Sequence, residues 1–150
     1  MRNRDVDKSY ARLFQTQALL VNLVGVERKT NTYCKMNTKT TFKEAVQHHD
    51  KYYTINPQTY NSYRTLEVRL HGGCVNLNKI VNWVKLLTYI VDTEGSLKVP
   101  VTTPYDFIAH YPNVNTKMSD YVAERYTDIT TKSIITEQDH ISFNNYEMVV

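Results

Sequence analysis

An alternating strand followed by a long apolar helix is the feature that most restricts how this chain can fold. In residues 64–71, Leu66, Val68 and Leu70 alternate with polar residues, which is the period of a strand buried on one face. Residues 79–92 then carry apolar side chains around almost the whole circumference of a helix. Two such elements in succession favour an α+β fold, in which helices pack on a small, mostly antiparallel sheet.

The remaining segments predict further helices and one more strand. In the apolar helix, Ile80, Val84, Leu87 and Val91 share the predicted apolar face, which Trp83 and other residues widen. Before the alternating strand, the sequence predicts a helix over 7–24 that stops near Gly25, a polar loop over 26–41, a helix over 42–50 capped by Thr40 or Thr41, and a strand in "KYYTINP". Asn76 or Asn78 is the predicted cap of the apolar helix. After that helix we predict a helix beginning at the proline of "TPYDFIAHY", a helix in "KMSDYVAERYTDI", and a strand or loose tail over the last twenty or so residues.

Composition sets the class of protein. One hundred and fifty residues suit a single domain with a core of its own. The N-terminus has no apolar signal segment, and no stretch reaches the length of a membrane span, so we expect a cytoplasmic protein with no membrane contact. Cys34 and Cys74 form neither a metal motif nor a disulfide framework.

The charge is divided unevenly along the chain. Residues 1–100 carry 15 Lys and Arg against 8 Asp and Glu, whereas residues 101–150 carry 3 against 7. A basic body suits a phosphate-bearing ligand, although a solvated surface explains the same pattern. The formal net charge of +3 is too small to indicate nucleic-acid binding by itself.

The polar face of the 64–71 strand carries the strongest candidates for chemistry. Glu67, Arg69 and His71 follow one another on that face at roughly 6.6 Å intervals. A carboxylate offers the hard oxygen that Mg²⁺ prefers, and a guanidinium takes phosphate oxygens in pairs. Gly72 and Gly73 would let a backbone approach closely. The alternative is an exposed strand face with a structural ion pair.

Other candidate groups are weaker. The "HHD" run at 48–50 places its imidazoles on different helical faces, which makes a metal site from these residues alone improbable. The loop "ERKTNTYCK" at 27–35 is basic and either grips an anion or is simply solvated. We predict that Cys34 is buried or inert, because no base is evident to activate it. The chain has no Walker A, GxGxxG, HExxH or GxSxG motif.

Several of these segments, in this order, resemble a known family. "RKTNTYCK" (28–35), "KYYTIN" (51–56) and "TLEVRLHGGCVNLNKIVNWVKLL" (65–87) are similar to the C-terminal half of amidoligases, which are carboxylate–amine ligases related to glutamine synthetase. The family has an R-x-x-N-x-Y-C loop, a strand ending in Asn, and an E-F-R-x-H-x-G-T strand before a Trp-bearing helix. "YDFI" and "YVAERY" (within 105–126) resemble its later helices. The similarity spans roughly residues 8–127.

The resemblance implies a role for each matching residue. Glu67 would be the metal ligand, and Arg69 would contact the phosphoryl group both as a catalytic and as a nucleotide-binding residue. Arg28 and Asn31 match the loop motif, which implies that Arg28 is a second catalytic residue and that Asn31 contacts the nucleotide. His71 matches a common family position near the nucleotide. The cofactors implied are ATP and Mg²⁺, and the fold implied is the C-terminal half of a glutamine-synthetase-like catalytic domain over 1–127, with a tail over 128–150.

The resemblance also leaves two functions open. The family's N-terminal half carries the other metal-binding carboxylates, so we expect a homo-oligomer, or a heteromer in which another chain supplies that half, acting on a small-molecule or peptide carboxylate and amine. The family threonine after the glycine is replaced by Cys74. The alternative is a non-catalytic interaction or structural protein, encoded by a phage or mobile element, that keeps the E-x-R strand for folding.

Overall fold

The fold is α+β, as the alternating strand and the apolar helix predict. The computed structural model describes residues 5–93 and 98–132. The elements in chain order are α1 (Val6–Val21), α2 (Val26–Lys29), α3 (Phe42–His48), β1 (Ile55–Asn56), α4 (Thr59–Tyr63), β2 (Glu67–Val68), α5 (Leu77–Asp92), α6 (Pro104–His110) and α7 (Thr116–Lys132). None of the helices in these ranges is long and apolar enough to cross a membrane.

The small sheet is antiparallel but shorter than predicted. β1 pairs with β2 in the register Ile55 with Val68 and Asn56 with Glu67. Beyond the strands, the amide of Arg69 donates to the carbonyl of Thr54 at 2.8 Å. The pairing of the two segments thus continues past β2, although β1 and β2 are regular strands over only two residues each.

α1 and α5 form the centre of the molecule. α1 begins at Asp5, whose carboxylate accepts from the amides of Asp7 and Lys8, and it packs mainly against α5. Asn22 ends α1, so the predicted stop near Gly25 is late by a few residues, and Gly25 instead precedes α2. The buried side chains of these two helices include Tyr10, Leu13, Leu19, Leu20, Trp83, Leu86 and Ile90.

Only part of the predicted apolar face of α5 meets the core: Leu87 and Val91 are half-buried and pack against it. The structure buries Asn82, Trp83, Leu86 and Ile90, while Ile80 and Val84 are 39% and 55% exposed. Because this helix is apolar almost all round, its pattern alone does not select the face that meets α1. The cap is one of the two predicted residues, since the Asn76 side chain accepts from the amide of Lys79.

α3 and α6 follow their sequence signals closely, whereas α2 is a short helix at the start of the segment 26–41 that was predicted as a polar loop. Thr41 caps α3 and Thr103 caps α6, where Asp106 completes a capping box and Pro104 occupies the first turn. α4 has no counterpart among the predicted elements, and it ends at Arg64 in a left-handed conformation, with φ of 56°. The boundary drawn after residue 127 falls within α7, and the tail over 133–150 lies outside the described residues.

Candidate functional site

Glu67 and Arg69 form an ion pair on and beside β2. Arg69 Nη1 lies 3.1 Å from Glu67 Oε1. Glu67 Oε2 accepts a hydrogen bond of 2.7 Å from the side-chain amide of Asn56, which lies opposite Glu67 in the sheet register. The side chains of Glu67 and Arg69 are 42% and 25% exposed, so the pair lies at the surface.

Arg28 joins the basic loop to the strand that carries this ion pair. Its Nε donates to the carbonyl of Leu70 at 3.0 Å, and its Nη2 donates to the carbonyl of Arg69. The Cys34 thiol lies 3.5 Å from the same Arg69 carbonyl. Two segments about forty residues apart are therefore held together.

Asn31 shapes the loop around Tyr33. Its side-chain oxygen accepts from the amide of Tyr33 at 2.8 Å, and its carbonyl accepts from the amide of Cys34 at 3.0 Å. Arg69 Nε in turn donates to the carbonyl of Tyr33 at 3.4 Å. Asn31 thus acts on the candidate site through the conformation of the loop that borders Arg69.

His71 continues the same segment but turns toward α5. Its ring lies 5.3 Å from the ring of Trp83, and its Nδ1 donates to the carbonyl of Gly72 at 2.7 Å. Burial lowers the pKa of His71, and the positive charges of Arg125, Lys79 and Arg28 add to that effect, whereas the bond to Gly72 opposes it. The neutral ring therefore carries its lone pair on Nε2.

The glycines after His71 are not required by the packing of the described residues. A Cβ built at Gly72 would lie 3.8 Å from Cδ of Arg28, an ordinary contact, and one built at Gly73 would meet nothing within 4 Å. The surface next to His71 is therefore open at Gly73. The predicted close approach of a backbone at these glycines stays a prediction.

The weaker candidates differ in how deeply they are buried. His49 is buried and stacks on Tyr53 with 4.0 Å between ring centroids, while His48 is exposed. Cys34 is buried, and burial raises the pKa of its thiol above the usual value despite the nearby Arg28 and Arg69. Within 5–93 and 98–132 no group of three or more His, Cys, Asp or Glu side chains could hold a metal by itself.

A buried polar network, which the sequence did not reveal, fixes the segments on either side of the candidate site. Asn37 is its centre: its side-chain amide donates to the carbonyl of Ile55 at 2.8 Å and its side-chain oxygen accepts from the amide of Ile55 at 2.9 Å. The Thr54 hydroxyl lies 2.7 Å from the same Asn37 oxygen, and His49 Nδ1 lies 3.1 Å from the Asn37 amide. Asn37 thus links the loop to β1 as a strand neighbour would.

α1 anchors the same network. The Gln17 side chain accepts from the amide of Asn37 and donates to its carbonyl, both at 2.9 Å. The Tyr10 hydroxyl donates to the carbonyl of Lys39 at 2.6 Å, and burial raises the pKa of Tyr10 to about 12. The loop is therefore held on the core through α1 as well as through β1.

Two further residues belong to the site, the buried Asn56 and the half-buried Tyr52. Asn56 was interpreted only as the end of a strand, yet it contacts Glu67 directly. Tyr52 places its ring 5.8 Å from the guanidinium carbon of Arg69 and 5.0 Å from the ring of Tyr33. The signal available in the sequence was the antiparallel pairing of the two strands, which places Asn56 beside Glu67 once the register is known.

The candidate site is an open surface. Two cavities of about 570 and 380 Å³ are present, and neither Glu67 nor Arg69 lines them. Glu67 offers a partly exposed carboxylate, and Arg69 offers a partly exposed guanidinium with several donors in one plane. Such a pair can hold one face of a metal–phosphate group but does not surround it.

Comparison of the chain with protein-family models, with curated protein sequences and with solved structures gave no match. The resemblance to amidoligases therefore rests on the motif residues themselves and on their order along the chain.

Proposed function

We propose that this chain contributes the E-x-R part of an ATP- and Mg²⁺-dependent carboxylate–amine ligase site. The observation that carries the proposal is the contact of Arg28 with the carbonyls of Arg69 and Leu70, which places the R-x-x-N loop directly against the E-x-R strand. Glu67 is the proposed metal ligand. Arg69 is the proposed phosphate contact, with Arg28, Asn31 and His71 around it.

The chemistry of these side chains suits phosphoryl transfer. In the proposed reaction the carboxylate of the substrate attacks the γ-phosphorus of ATP, and ADP leaves. The substrate amine then displaces phosphate from the acyl phosphate to form an amide. A planar guanidinium such as that of Arg69 binds two phosphoryl oxygens at once. We assign Arg69 to neutralising the charge on the transferred group, and Arg28 to holding the Arg69 main chain in place.

The single carboxylate fits Mg²⁺ in the way this ion is usually bound with nucleotides. Mg²⁺ commonly takes one or two protein carboxylates and fills its remaining positions with water and substrate phosphates. Glu67 would be the ligand from this chain, and the bound ion would screen the charge of the transferring phosphoryl group. Asn56 and Arg69 would then orient the carboxylate that they already contact.

The open site also supports a proposal about partners. Glu67 supplies one carboxylate, and Mg²⁺ needs further ligands, which we assign to a second copy or to another chain. The exposed apolar residues at the start of α5, Val75, Leu77, Ile80 and Val84, offer a surface for such an association.

We therefore expect the purified chain to have a molar mass above that of a monomer, or to bind a partner chain, at micromolar concentration. Exclusion of exposed apolar surface from water is the physical reason. Light scattering coupled to size exclusion measures the mass, and Val84→Lys on the exposed side of α5 should reduce it. A matched change on α6, Tyr105→Lys, should not, and a monodisperse monomer would contradict the expectation.

The proposed metal role of Glu67 is tested by Glu67→Gln. We expect Mg²⁺ to strengthen the binding of a non-hydrolysable ATP analogue to the wild type, and we expect the substitution to reduce this gain about tenfold, since a carboxamide lacks the charge that Mg²⁺ prefers. Isothermal titration with Mg²⁺ and with chelator measures both states. Without metal, the variant should bind at least as well as the wild type, because Arg69 loses its anionic neighbour.

Glu124→Gln on the exposed side of α7 is the matched control, because it removes the same charge elsewhere. If both variants retain the full gain from Mg²⁺, Glu67 is not a metal ligand. Circular dichroism of each variant shows that the fold is kept.

A second candidate function is a non-catalytic interaction or structural protein, of the kind a phage or mobile element encodes. The observation that favours it is that both oxygens of Glu67 contact groups of this chain, Arg69 Nη1 and the Asn56 amide. In that function the ion pair orders the strand and does not meet a ligand. The two functions differ in what Arg69 contributes, namely ligand affinity or stability.

A further inference from the structure

An exposed tyrosine stands beside the proposed phosphate contact. Tyr33 is 60% exposed, although its ring lies 5.0 Å from the ring of Tyr52 in an edge-on arrangement. The Tyr33 carbonyl accepts from Arg69 Nε at 3.4 Å. The ring of Tyr33 and the guanidinium of Arg69 therefore share the Tyr52 ring as a neighbour, 5.0 and 5.8 Å away.

Two cations lie over the Tyr52 ring of this pair. Arg69 and the Lys51 ammonium lie 5.8 and 5.2 Å from the centre of the Tyr52 ring. Two acids are also near: Glu67 pairs with Arg69, and Asp50 lies 3.3 Å from the Lys35 ammonium. The surface around Tyr33 and Tyr52 thus combines aromatic rings with positive charge that is only partly neutralised.

Tyr53, which follows Tyr52, differs from Tyr33 in that other groups of this chain cover its ring. Tyr53 stacks on His49 at 4.0 Å, and the Lys35 ammonium lies over it at 4.7 Å. Its ring is thus held by groups of this chain. Among the residues that the structure describes, Tyr33 contacts one ring, that of Tyr52, and its side chain is largely exposed, so packing within this part of the chain does not account for the aromatic residue.

We infer that Tyr33, supported by Tyr52, is the stacking platform for the base of the nucleotide whose phosphates meet Arg69. Every nucleobase has a flat π-face that stacks on an aromatic side chain, and its phosphates seek cations. A ring and a guanidinium joined through one backbone carbonyl match these two parts of a mononucleotide. The inference rests on the proposed function in one respect, that Arg69 contacts the phosphates.

The test separates the base from the phosphates by using three probes. Isothermal titration compares Mg²⁺-ATP, Mg²⁺-tripolyphosphate and adenosine on the wild type, Tyr33→Ala, Tyr33→Phe and the control Tyr105→Ala, another exposed tyrosine. We expect Tyr33→Ala to weaken ATP binding about tenfold and to leave tripolyphosphate binding unchanged. Tyr33→Phe and Tyr105→Ala should bind all three probes as the wild type does.

The outcomes distinguish this inference from the function it rests on. If the wild type binds tripolyphosphate as tightly as ATP, or if Tyr33→Ala leaves ATP affinity unchanged, the platform is refuted while the phosphate site stands. If tripolyphosphate does not bind but ATP binds in a Tyr33-dependent manner, the platform stands and the assignment of Arg69 fails. A short single-stranded oligonucleotide that binds more tightly than ATP, with the same dependence on Tyr33, would replace the mononucleotide with a polynucleotide and overturn the inference.

Discussion

Replacing Asn37 with Ala should lower the free energy of unfolding by about 4 kcal/mol, since each buried polar group left without a partner costs about 1–3 kcal/mol. The substitution removes the partner of both main-chain groups of Ile55, and it removes a contact of Thr54 and of His49. Urea unfolding measures the change through the transition midpoint at constant slope. We expect the loop between α2 and α3, which contains Asn37, to lose its fixed position at the same time.

Asn61→Ala is the matched control, because Asn61 is exposed on α4. It should change the stability by less than about 0.5 kcal/mol, as surface substitutions usually do. If Asn37→Ala is no more destabilising than this control, the network does not hold the loop on β1, and the account of how the candidate site is assembled is wrong.

Arg69→Lys should weaken the binding of Mg²⁺-ATP by at least tenfold and leave the stability almost unchanged. Lysine keeps the charge but lacks the planar pair of donors that holds two phosphoryl oxygens. The ion pair with Glu67 is partly exposed, and such pairs contribute only about 0–1 kcal/mol to stability. Titration gives the affinity, and thermal unfolding of the same samples gives the stability.

This variant separates the two candidate functions. Arg64→Lys is the control, since Arg64 is an exposed arginine at the end of α4. A large fall in melting temperature without a change in nucleotide binding would support the non-catalytic interaction protein instead, with Arg69 kept for folding.

The sequence predicted the longer helices and α3 and α6 because their signals are local, but it did not predict the short helices α2 and α4. Caps such as Thr41, Asn76 and Thr103 lie within three residues of the amides they bond, and Pro104 marks the first turn of α6. The face of α5 was predicted only in part, because Leu87 and Val91 pack against the core whereas Ile80 and Val84 are exposed. Its buried side depends on where α1 lies, and a helix that is apolar almost all round carries no local record of that contact.

In the candidate site, too, the features that depend on local spacing were predicted and those that depend on distant segments were not. The alternation around Glu67 and Arg69 placed both side chains on one face of the strand, and the structure joins them in an ion pair. The contacts from Arg28 to the strand and from Asn56 to Glu67 depend on pairing between distant segments, which no spacing within one segment encodes. Asn37 was missed because a buried asparagine and a loop asparagine look alike in a sequence.

The central claim is that this chain presents a metal–phosphate surface, and titration of a non-hydrolysable ATP analogue into the wild-type protein with and without Mg²⁺ tests it most directly. The measurement uses the full chain together with any protein that co-purifies with it. The account predicts saturable binding that Mg²⁺ strengthens and that Glu67→Gln makes insensitive to Mg²⁺. The absence of binding in both conditions, or binding that Mg²⁺ and Glu67→Gln leave unchanged, would contradict it.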